Sequence, residues 1–182
     1  MKNRGRGGLT KLRLLAGAHL LGFAVILAAG LALAVALGAQ YFGGLSPCAL
    51  CLIARWPYRI ALIAGAAALI LPPRFAMAAL WVALACFAAD FAVASLHVGV
   101  EFGWWKSPLS ECTAPSLAGL TGADLLRAMP LRPVTPCDSP VYLVPGFNLS
   151  MAAMNLVYAA GCCLALTWAL VRPGVVSWRR HS

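Results

Sequence analysis

Four long apolar runs dominate this sequence and limit what it can fold into; they cover approximately residues 14–41, 51–71, 75–96 and 147–171. A helix of about 20 mainly apolar residues is long enough to cross the hydrocarbon core of a bilayer. Of all residues 62% are hydrophobic and only 10% are charged, far from the balance of soluble domains. We therefore predict an all-α membrane protein, a four-transmembrane-helix antiparallel bundle in which residues 1–182 form a single integral membrane domain.

The first apolar run follows a basic head, residues 1–13, which is also the arrangement of a secretory signal peptide. The apolar region of a signal peptide has about 7–15 residues, and this run is roughly twice as long. We therefore expect a first transmembrane helix that is retained in the protein.

Basic residues set the expected orientation of the bundle. With four spans, both termini and the turn at 72–74 lie on one side, which carries nine basic residues: Lys2, Arg4, Arg6, Lys11, Arg13, Arg74, Arg172, Arg179 and Arg180. Because Lys and Arg accumulate on the cytoplasmic side, residues 1–13, 72–74 and 172–182 are predicted to be cytoplasmic. The loops 42–50 and 97–146 then face outward. The net charge of +9 is explained by this topology, and no nucleic-acid partner is expected.

Four of the seven cysteines lie in or at the edge of the outward loops: Cys48, Cys51, Cys112 and Cys137. Disulfides persist in oxidising compartments outside the cytoplasm, and four cysteines allow three pairings. The short Cys-x-x-Cys spacing favours a Cys48–Cys51 pair, which leaves Cys112 and Cys137 to close a loop of about 26 residues. The remaining cysteines lie within the spans and are expected only to pack there: Cys86, Cys162 and Cys163.

Three interpretations of the four loop cysteines are open. As structural staples, the cysteines would stabilise the fold, and a Cys112–Cys137 cross-link of the 26-residue loop would contribute roughly 3.5 kcal/mol in the chain-entropy model. As a zinc site, they should form two short-spaced pairs, which Cys112 and Cys137 do not, so no metal is predicted. As a redox relay, they would pass electrons from water to lipid by thiol–disulfide exchange. We favour the relay, because two small loops leave little room for the function of a soluble domain.

Cys48 and Cys51 lie at the start of the second apolar run, and Arg55 follows Cys51 by one helical turn. Thiols of a Cys-x-x-Cys pair are commonly acidified, and the N-terminus of a helix stabilises a thiolate further. Arg55 is therefore a candidate to stabilise a thiolate, whereas Arg59, one turn later, is expected to reach the membrane interface. Asp90, within the third run, is costly in hydrocarbon and should face the bundle interior.

The loop 97–146 is the one long polar segment of the sequence and is rich in proline. Within it, residues 117–129 are predicted to form a short amphipathic helix. A loop of this kind suits a carrier that must meet both an external protein and the inner cysteine pair.

In combination, these motifs resemble the disulfide bond formation protein B (DsbB) family over nearly the whole chain. The segments that carry the resemblance are Pro-Cys-x-x-Cys-x-x-x-Arg at 47–55, Trp-Pro-Tyr at 56–58, His-x-Gly-Val-Glu with Gly-Trp-Trp at 97–105, Pro136-Cys137-Asp138, and Gly146 to Met151 with Asn155. A lone Cys-x-x-Cys would be weak evidence, whereas four spans with four outward cysteines in this order are specific.

The resemblance implies a quinone-dependent protein thiol:disulfide oxidoreductase of the bacterial inner membrane that sustains disulfide formation in secreted proteins. A reduced periplasmic thioredoxin-fold protein of the DsbA type would attack the Cys112–Cys137 disulfide, with Cys112 in the mixed disulfide. Cys137 would then attack Cys48 and free Cys51. These four cysteines are the expected catalytic residues.

A membrane quinone, ubiquinone or menaquinone, is the terminal acceptor that the resemblance implies. It places Cys51 and Arg55 at the quinone. His97 is a candidate to donate a hydrogen bond to the quinone or to carry a proton, because histidine titrates in a suitable range, and Glu101 is a weaker candidate. The DsbA–DsbB–quinone system is known to keep the bacterial periplasm oxidising, and a DsbA-type partner has a potential of about −120 mV. Structural disulfides lie below about −300 mV and cannot accept its electrons, so an acceptor of another chemical kind, soluble in lipid, is required.

Two alternatives are compatible with parts of the sequence. A vitamin K epoxide reductase-like oxidase also has a four-span core, but there the Cys-x-x-Cys pair follows the loop cysteines, opposite to the order here. A non-enzymatic membrane scaffold would use the disulfides as staples, and on reduction it would lose stability without consuming quinone.

Overall fold

The computed structural model describes residues 4–109, 112, 122, 135–143 and 149–172, with side chains described from residue 16 onward. Within these residues the chain forms four α-helices: α1 (Arg4–Tyr41), α2 (Ala49–Ile70), α3 (Pro73–Glu101) and α4 (Met151–Val171). Each is long and apolar enough to cross a membrane, α1 through its segment Ala16–Tyr41. The predicted fold class, an all-α protein with four transmembrane helices, is confirmed, and the chain is a multi-pass membrane protein. The predicted helix at 117–129 lies outside the described residues, except for Gly122.

α1 begins at Arg4, ten residues before the expected start of the first span. α2 and α3 also extend beyond the ranges expected from the apolar runs at the end of the bundle where α2 begins and α3 ends, here called the cysteine end. α2 begins at Ala49, so Cys51 lies in its first turn; the Cys51 N–H donates to Cys48 Sγ, which caps the helix. α3 continues to Glu101 because residues 97–100 are all buried. His97 and Glu101, which the sequence placed in the outward loop, therefore lie in the last two turns of a helix.

Prolines make the short turn between α2 and α3. Leu71 ends α2 and donates its N–H to the carbonyl of Ala67. Pro72 precedes α3 and Pro73 takes its first position, where the missing N–H costs nothing. So short a connection makes α2 and α3 antiparallel neighbours.

Helices α1 and α2 approach each other closely where two glycines meet. A Cβ atom built on Gly22 would lie 2.9 Å from the backbone oxygen of Gly65, and one built on Gly65 would lie 3.0 Å from the oxygen of Gly22. Small residues permit such close backbone contact between transmembrane helices. This contact holds α1 against α2, and the far end of α1 contributes to the cysteine end.

Gly22→Ala is expected to destabilise the bundle by about 1–3 kcal/mol, because the added methyl group must push two backbones apart. Gly38→Ala is the matched control on the same helix, since a Cβ there meets nothing within 4 Å and alanine favours helix more than glycine does. The thermal midpoint in detergent should fall for Gly22→Ala and not for Gly38→Ala. Equal midpoints would show that this glycine contact does not limit the packing of α1.

A buried polar network joins α2, α3 and α4. Asp90 of α3 is 0% exposed, as predicted for a residue that faces the bundle interior. Asn155 of α4 donates from Nδ2 to Asp90 Oδ2 over 3.1 Å, and the Tyr58 hydroxyl of α2 donates to Asn155 Oδ1 over 2.9 Å. Because unsatisfied polar groups are costly in hydrocarbon, this network fixes how α2, α3 and α4 are rotated against one another.

Candidate functional site

Cysteines from distant parts of the chain pack together at the cysteine end. Cys48, Cys112 and Cys137 are buried in one cluster with Leu50 and Val100, and this group is here called the sulfur cluster. Cys51 packs against its edge. The sulfur cluster therefore brings together the Cys-x-x-Cys pair and two cysteines that lie more than 60 and more than 85 residues later in the sequence.

The two cysteine couples differ in redox state. Cys112 and Cys137 form a disulfide, the pairing that the sequence favoured. Cys48 and Cys51 are free thiols whose Sγ atoms lie 3.0 Å apart, so the favoured Cys48–Cys51 disulfide is not formed here. The structure therefore contains the inner couple as a dithiol and the loop couple as a disulfide.

Cys48 is the more acidic partner of the dithiol. Its Sγ accepts from the Cys51 N–H over 3.3 Å and lies 3.5 Å from His97 Nε2. The pKa of Cys48 lies well below that of an ordinary thiol, because the Cys51 thiol donates to its sulfur and the His97 ring adds to the effect, while burial opposes it. Of the two thiols, Cys48 is therefore the one that loses its proton more readily. In the reaction that the resemblance implies, Cys51 is the residue released as a thiolate. That assignment concerns a different state of the protein, in which Cys48 is bonded to another sulfur.

His97 lies between a thiol and a carboxylate. Its Nε2 is 3.5 Å from Cys48 Sγ and 4.0 Å from Glu101 Oε1, one turn along α3. The other oxygen of Glu101 accepts from the Ser150 hydroxyl over 2.5 Å. Ser150 caps α4 and in turn accepts from the N–H of Ala153. One chain of contacts therefore leads from Cys48 through α3 to the first turn of α4.

Ser150→Ala removes both the donor to Glu101 and the cap of α4, so we expect a loss of about 1–3 kcal/mol in the free energy of unfolding. Ser150→Thr, which keeps the hydroxyl, should lose much less. Ser95→Ala is the matched control, because the Ser95 hydroxyl donates only to the carbonyl of Phe91 in its own helix. Thermal unfolding in detergent ranks the three variants. A midpoint for Ser150→Ala as high as that of Ser95→Ala would contradict a structural role for the contact with Glu101.

Arg55 is buried beside the dithiol, 8% exposed, and its guanidinium is directed towards the end of α1. Nη1 donates to Gln40 Oε1 over 2.7 Å and Nη2 donates to the carbonyl of Ala36 over 3.3 Å. Its Nε is buried and has no partner among the described residues. Arg59, one turn further, is exposed and lies over the ring of Trp56, which agrees with the interfacial position expected for it.

A cavity of about 280 Å³ opens beside these groups. That volume is close to the lower end of the range of roughly 300–1,000 Å³ for small-molecule sites. Its polar lining includes Gln40, Ser46, Cys48, Cys51, Arg55, Tyr58, His97, Glu101, Asn155 and Tyr158. Most of the remaining wall is aliphatic, from Leu31, Val35, Val93 and Met154 among others. A few polar side chains among mostly apolar walls suit a flat apolar ligand with acceptor oxygens.

The structure brings the predicted site residues into two adjoining groups. Cys48, Cys51, Arg55 and His97 all line the cavity. The Cys112–Cys137 disulfide lies behind Cys48 in the sulfur cluster and does not line the cavity.

Sequence reasoning assigned no role to several residues that shape this site. Gln40, which accepts from Arg55, ends a long apolar run, and a lone polar residue in such a place was the available signal. Ser150 and Asn155 belong to the motifs that carry the resemblance, but their partners lie on another helix and could not be read from the sequence.

Comparison with known proteins gives one family. The family model described as "Disulfide bond formation protein DsbB" matches residues 18–169, which is most of the chain and includes all seven cysteines. No curated protein and no solved structure matches the chain.

Proposed function

Because this chain belongs to the DsbB family, we propose that it is a quinone-dependent protein thiol:disulfide oxidoreductase. It reoxidises a DsbA-like dithiol protein and delivers the electrons to membrane quinone, which sustains disulfide formation in secreted proteins. The observation that carries the proposal is the packing of Cys48 with Cys112 and Cys137 in one cluster, beside a cavity that both Cys48 and Cys51 line. Family membership supports the coarser part, a membrane oxidoreductase that acts on disulfides.

Electrons enter through the loop couple. A thiolate of the reduced partner bonds to Cys112 Sγ, the Cys112–Cys137 bond breaks, and Cys137 leaves as a thiolate with the electron pair. Cys137 then attacks Cys48 Sγ of an oxidised inner couple, and Cys51 leaves as a thiolate. Because Cys48 and Cys137 belong to the same cluster, the second exchange requires only a small displacement.

A second round of exchange returns the loop couple to its starting state. The other thiolate of the partner displaces Cys112, so the partner leaves oxidised. Cys112 then attacks Cys137 in its bond to Cys48, and Cys48 leaves with the electron pair. The product has a Cys112–Cys137 disulfide and a Cys48/Cys51 dithiol. That combination is the one found in the structure.

A bound quinone supplies an acceptor for two electrons and two protons. The residues at hand fit such a group, because the buried Nε of Arg55 has no partner among the described residues and can donate to a carbonyl oxygen. Its two terminal nitrogens are held by Gln40 and the carbonyl of Ala36, which fixes the guanidinium in place. His97 Nε2 lies 3.5 Å from Cys48 Sγ, close enough to exchange a proton with it. The aliphatic walls exclude water from the reacting sulfurs.

We also propose the orientation that the basic residues predict. The termini and the turn at 72–74 are cytoplasmic, and the sulfur cluster faces the periplasm of a bacterial inner membrane. Only on that side does the loop couple meet an oxidant that is secreted.

One experiment tests the proposal directly. The purified protein is mixed without oxygen with a reduced DsbA-type protein and a short-chain quinone, and the absorbance of the quinone is followed. We expect one quinone to be reduced for each partner dithiol that is oxidised. A scaffold held by staples would leave the quinone unchanged, and that result would refute the proposal.

A further inference from the structure

Three metal-binding atoms meet at the inner couple. Cys48 Sγ, Cys51 Sγ and His97 Nε2 all lie within 4.8 Å of one another. The two sulfurs are 3.0 Å apart, and Cys48 Sγ is 3.5 Å from Nε2. Around a tetrahedral zinc ion, with bonds of about 2.3 Å to sulfur and about 2.0 Å to nitrogen, neighbouring ligand atoms lie roughly 3.5–3.8 Å apart. The sulfurs therefore need to separate by less than about 1 Å to accept the ion.

A fourth ligand lies within reach. Glu101 Oε1 is 4.0 Å from His97 Nε2, and Glu101 lines the same cavity as the other three residues. The second oxygen of Glu101 is held by the Ser150 hydroxyl, so Oε1 is left to face an ion. Carboxylate ligands are commonly oriented by such an outer hydrogen bond.

The buried charges would balance. Two thiolates and the Glu101 carboxylate carry three negative charges, whereas a divalent cation and the guanidinium of Arg55 carry three positive charges. Arg55 is 8% exposed and is held by Gln40 and Ala36, so it stays within the site without being a ligand. Because an uncompensated charge is costly to bury, this balance favours a divalent ion over a monovalent one.

We infer that the dithiol form of this protein binds one thiophilic divalent cation, such as Zn²⁺, through Cys48, Cys51, His97 and Glu101. Two metal–sulfur bonds and one metal–nitrogen bond form, the protons that Cys48, Cys51 and His97 Nε2 hold in the metal-free state pass to solvent, and no oxidation state changes. A Cys48–Cys51 disulfide offers no thiolate, so the site exists only after the inner couple has been reduced. Where the proposed oxidase function holds, the bound ion blocks reoxidation of Cys48 and Cys51, and the protein is trapped in its reduced state.

The test uses Co²⁺ as a spectroscopic probe and requires neither quinone nor partner protein, so its outcome is independent of the oxidase assay. The full-length protein carries Cys112→Ser and Cys137→Ser, so that reduction exposes no other loop thiols. After anaerobic reduction, one equivalent of Co²⁺ should give the intense visible bands of a tetrahedral thiolate site, and Zn²⁺ should remove them. The same protein with Cys48 and Cys51 oxidised is the control and should give no bands, although Cys86, Cys162 and Cys163 are still present.

Two further variants decide which residues are ligands. His97→Ala and Glu101→Gln, each made in this background, should weaken Co²⁺ binding by about tenfold or more, whereas Ser95→Ala on the same helix should leave it unchanged. Circular dichroism and gel filtration establish that each variant is folded; Glu101→Gln alone suffices should His97→Ala fail to fold. Equal bands in the reduced and oxidised proteins, no bands in either, or affinity unaltered in the folded ligand variants would each overturn the inference.

Discussion

Cys51→Ser is expected to lower the rate of quinone reduction by at least about 10³-fold, the scale of loss when a reacting group is removed from a catalytic set. Without the Cys51 thiol, the inner couple cannot form a disulfide, and no electron pair can be released to the cavity. The Cys112–Cys137 disulfide should still form, because its two sulfurs meet in the sulfur cluster independently of Cys51. Quinone absorbance measures the first effect, and thiol alkylation followed by mass spectrometry measures the second.

Cys163→Ser provides the matched control for this experiment. Cys163 is also a half-buried free thiol, but it lies within α4 and away from the cavity lining. Its replacement should leave the rate of quinone reduction within about twofold, since it removes no reacting group. Normal turnover by Cys51→Ser would remove Cys51 from the proposed relay, and an equal loss in both variants would point to a general effect on folding.

Arg55→Ala is expected to lower kcat/KM for the quinone by about 10²-fold, the cost of losing one well-placed donor in a water-excluded site. kcat/KM should fall more for the quinone than for the DsbA-type partner, because Arg55 lines the cavity and does not belong to the sulfur cluster. Arg55→Lys should recover only part of the activity, since the donors of an ammonium all come from one nitrogen and cannot reproduce the spread of Nη1, Nη2 and Nε. Steady-state rates at varied quinone concentration, and then at varied concentration of the DsbA-type partner, give the two kcat/KM values.

Arg59→Ala is the control for charge at this end of α2. Arg59 lies one turn from Arg55 but is exposed and covers the ring of Trp56. An exposed charge contributes little, so kcat/KM should change by less than about twofold. If the two alanine variants behaved alike, the effect would come from net charge at the interface and Arg55 would have no specific place at the quinone.

Arg55 and Arg59 also show how far the sequence reaches into the site. Their spacing puts them on the same side of α2, and the sequence alone distinguishes them only by the distance of each from Cys51. The structure distinguishes the two arginines because the end of α1 lies against Arg55, whose guanidinium donates hydrogen bonds to Gln40 and to the carbonyl of Ala36. No pattern within α2 contains that information.

Glu101, which also lines the cavity, shows the same limit of prediction from the sequence. The apolar run ends near Leu96, so the sequence ended the third span there and left Glu101 in a polar loop. The helix continues because residues 97–100 are buried at the cysteine end, and this turn carries Glu101 to Ser150, 49 residues later in the chain. Burial by distant segments overrode the local decline in hydrophobicity.

What the sequence determined by itself is the number of spans, the order of the cysteines and the family. These follow from properties that add up locally along the chain: twenty apolar residues cross a bilayer whatever surrounds them, and a motif keeps its spacing in any fold. Only the tertiary structure decided that His97 Nε2 lies between Cys48 and Glu101, that Arg55 is buried while Arg59 is not, and that Cys137 packs against Cys48. Those contacts depend on how each helix is rotated against its neighbours, which close packing at Gly22 and Gly65 and the network around Asp90 fix across the bundle.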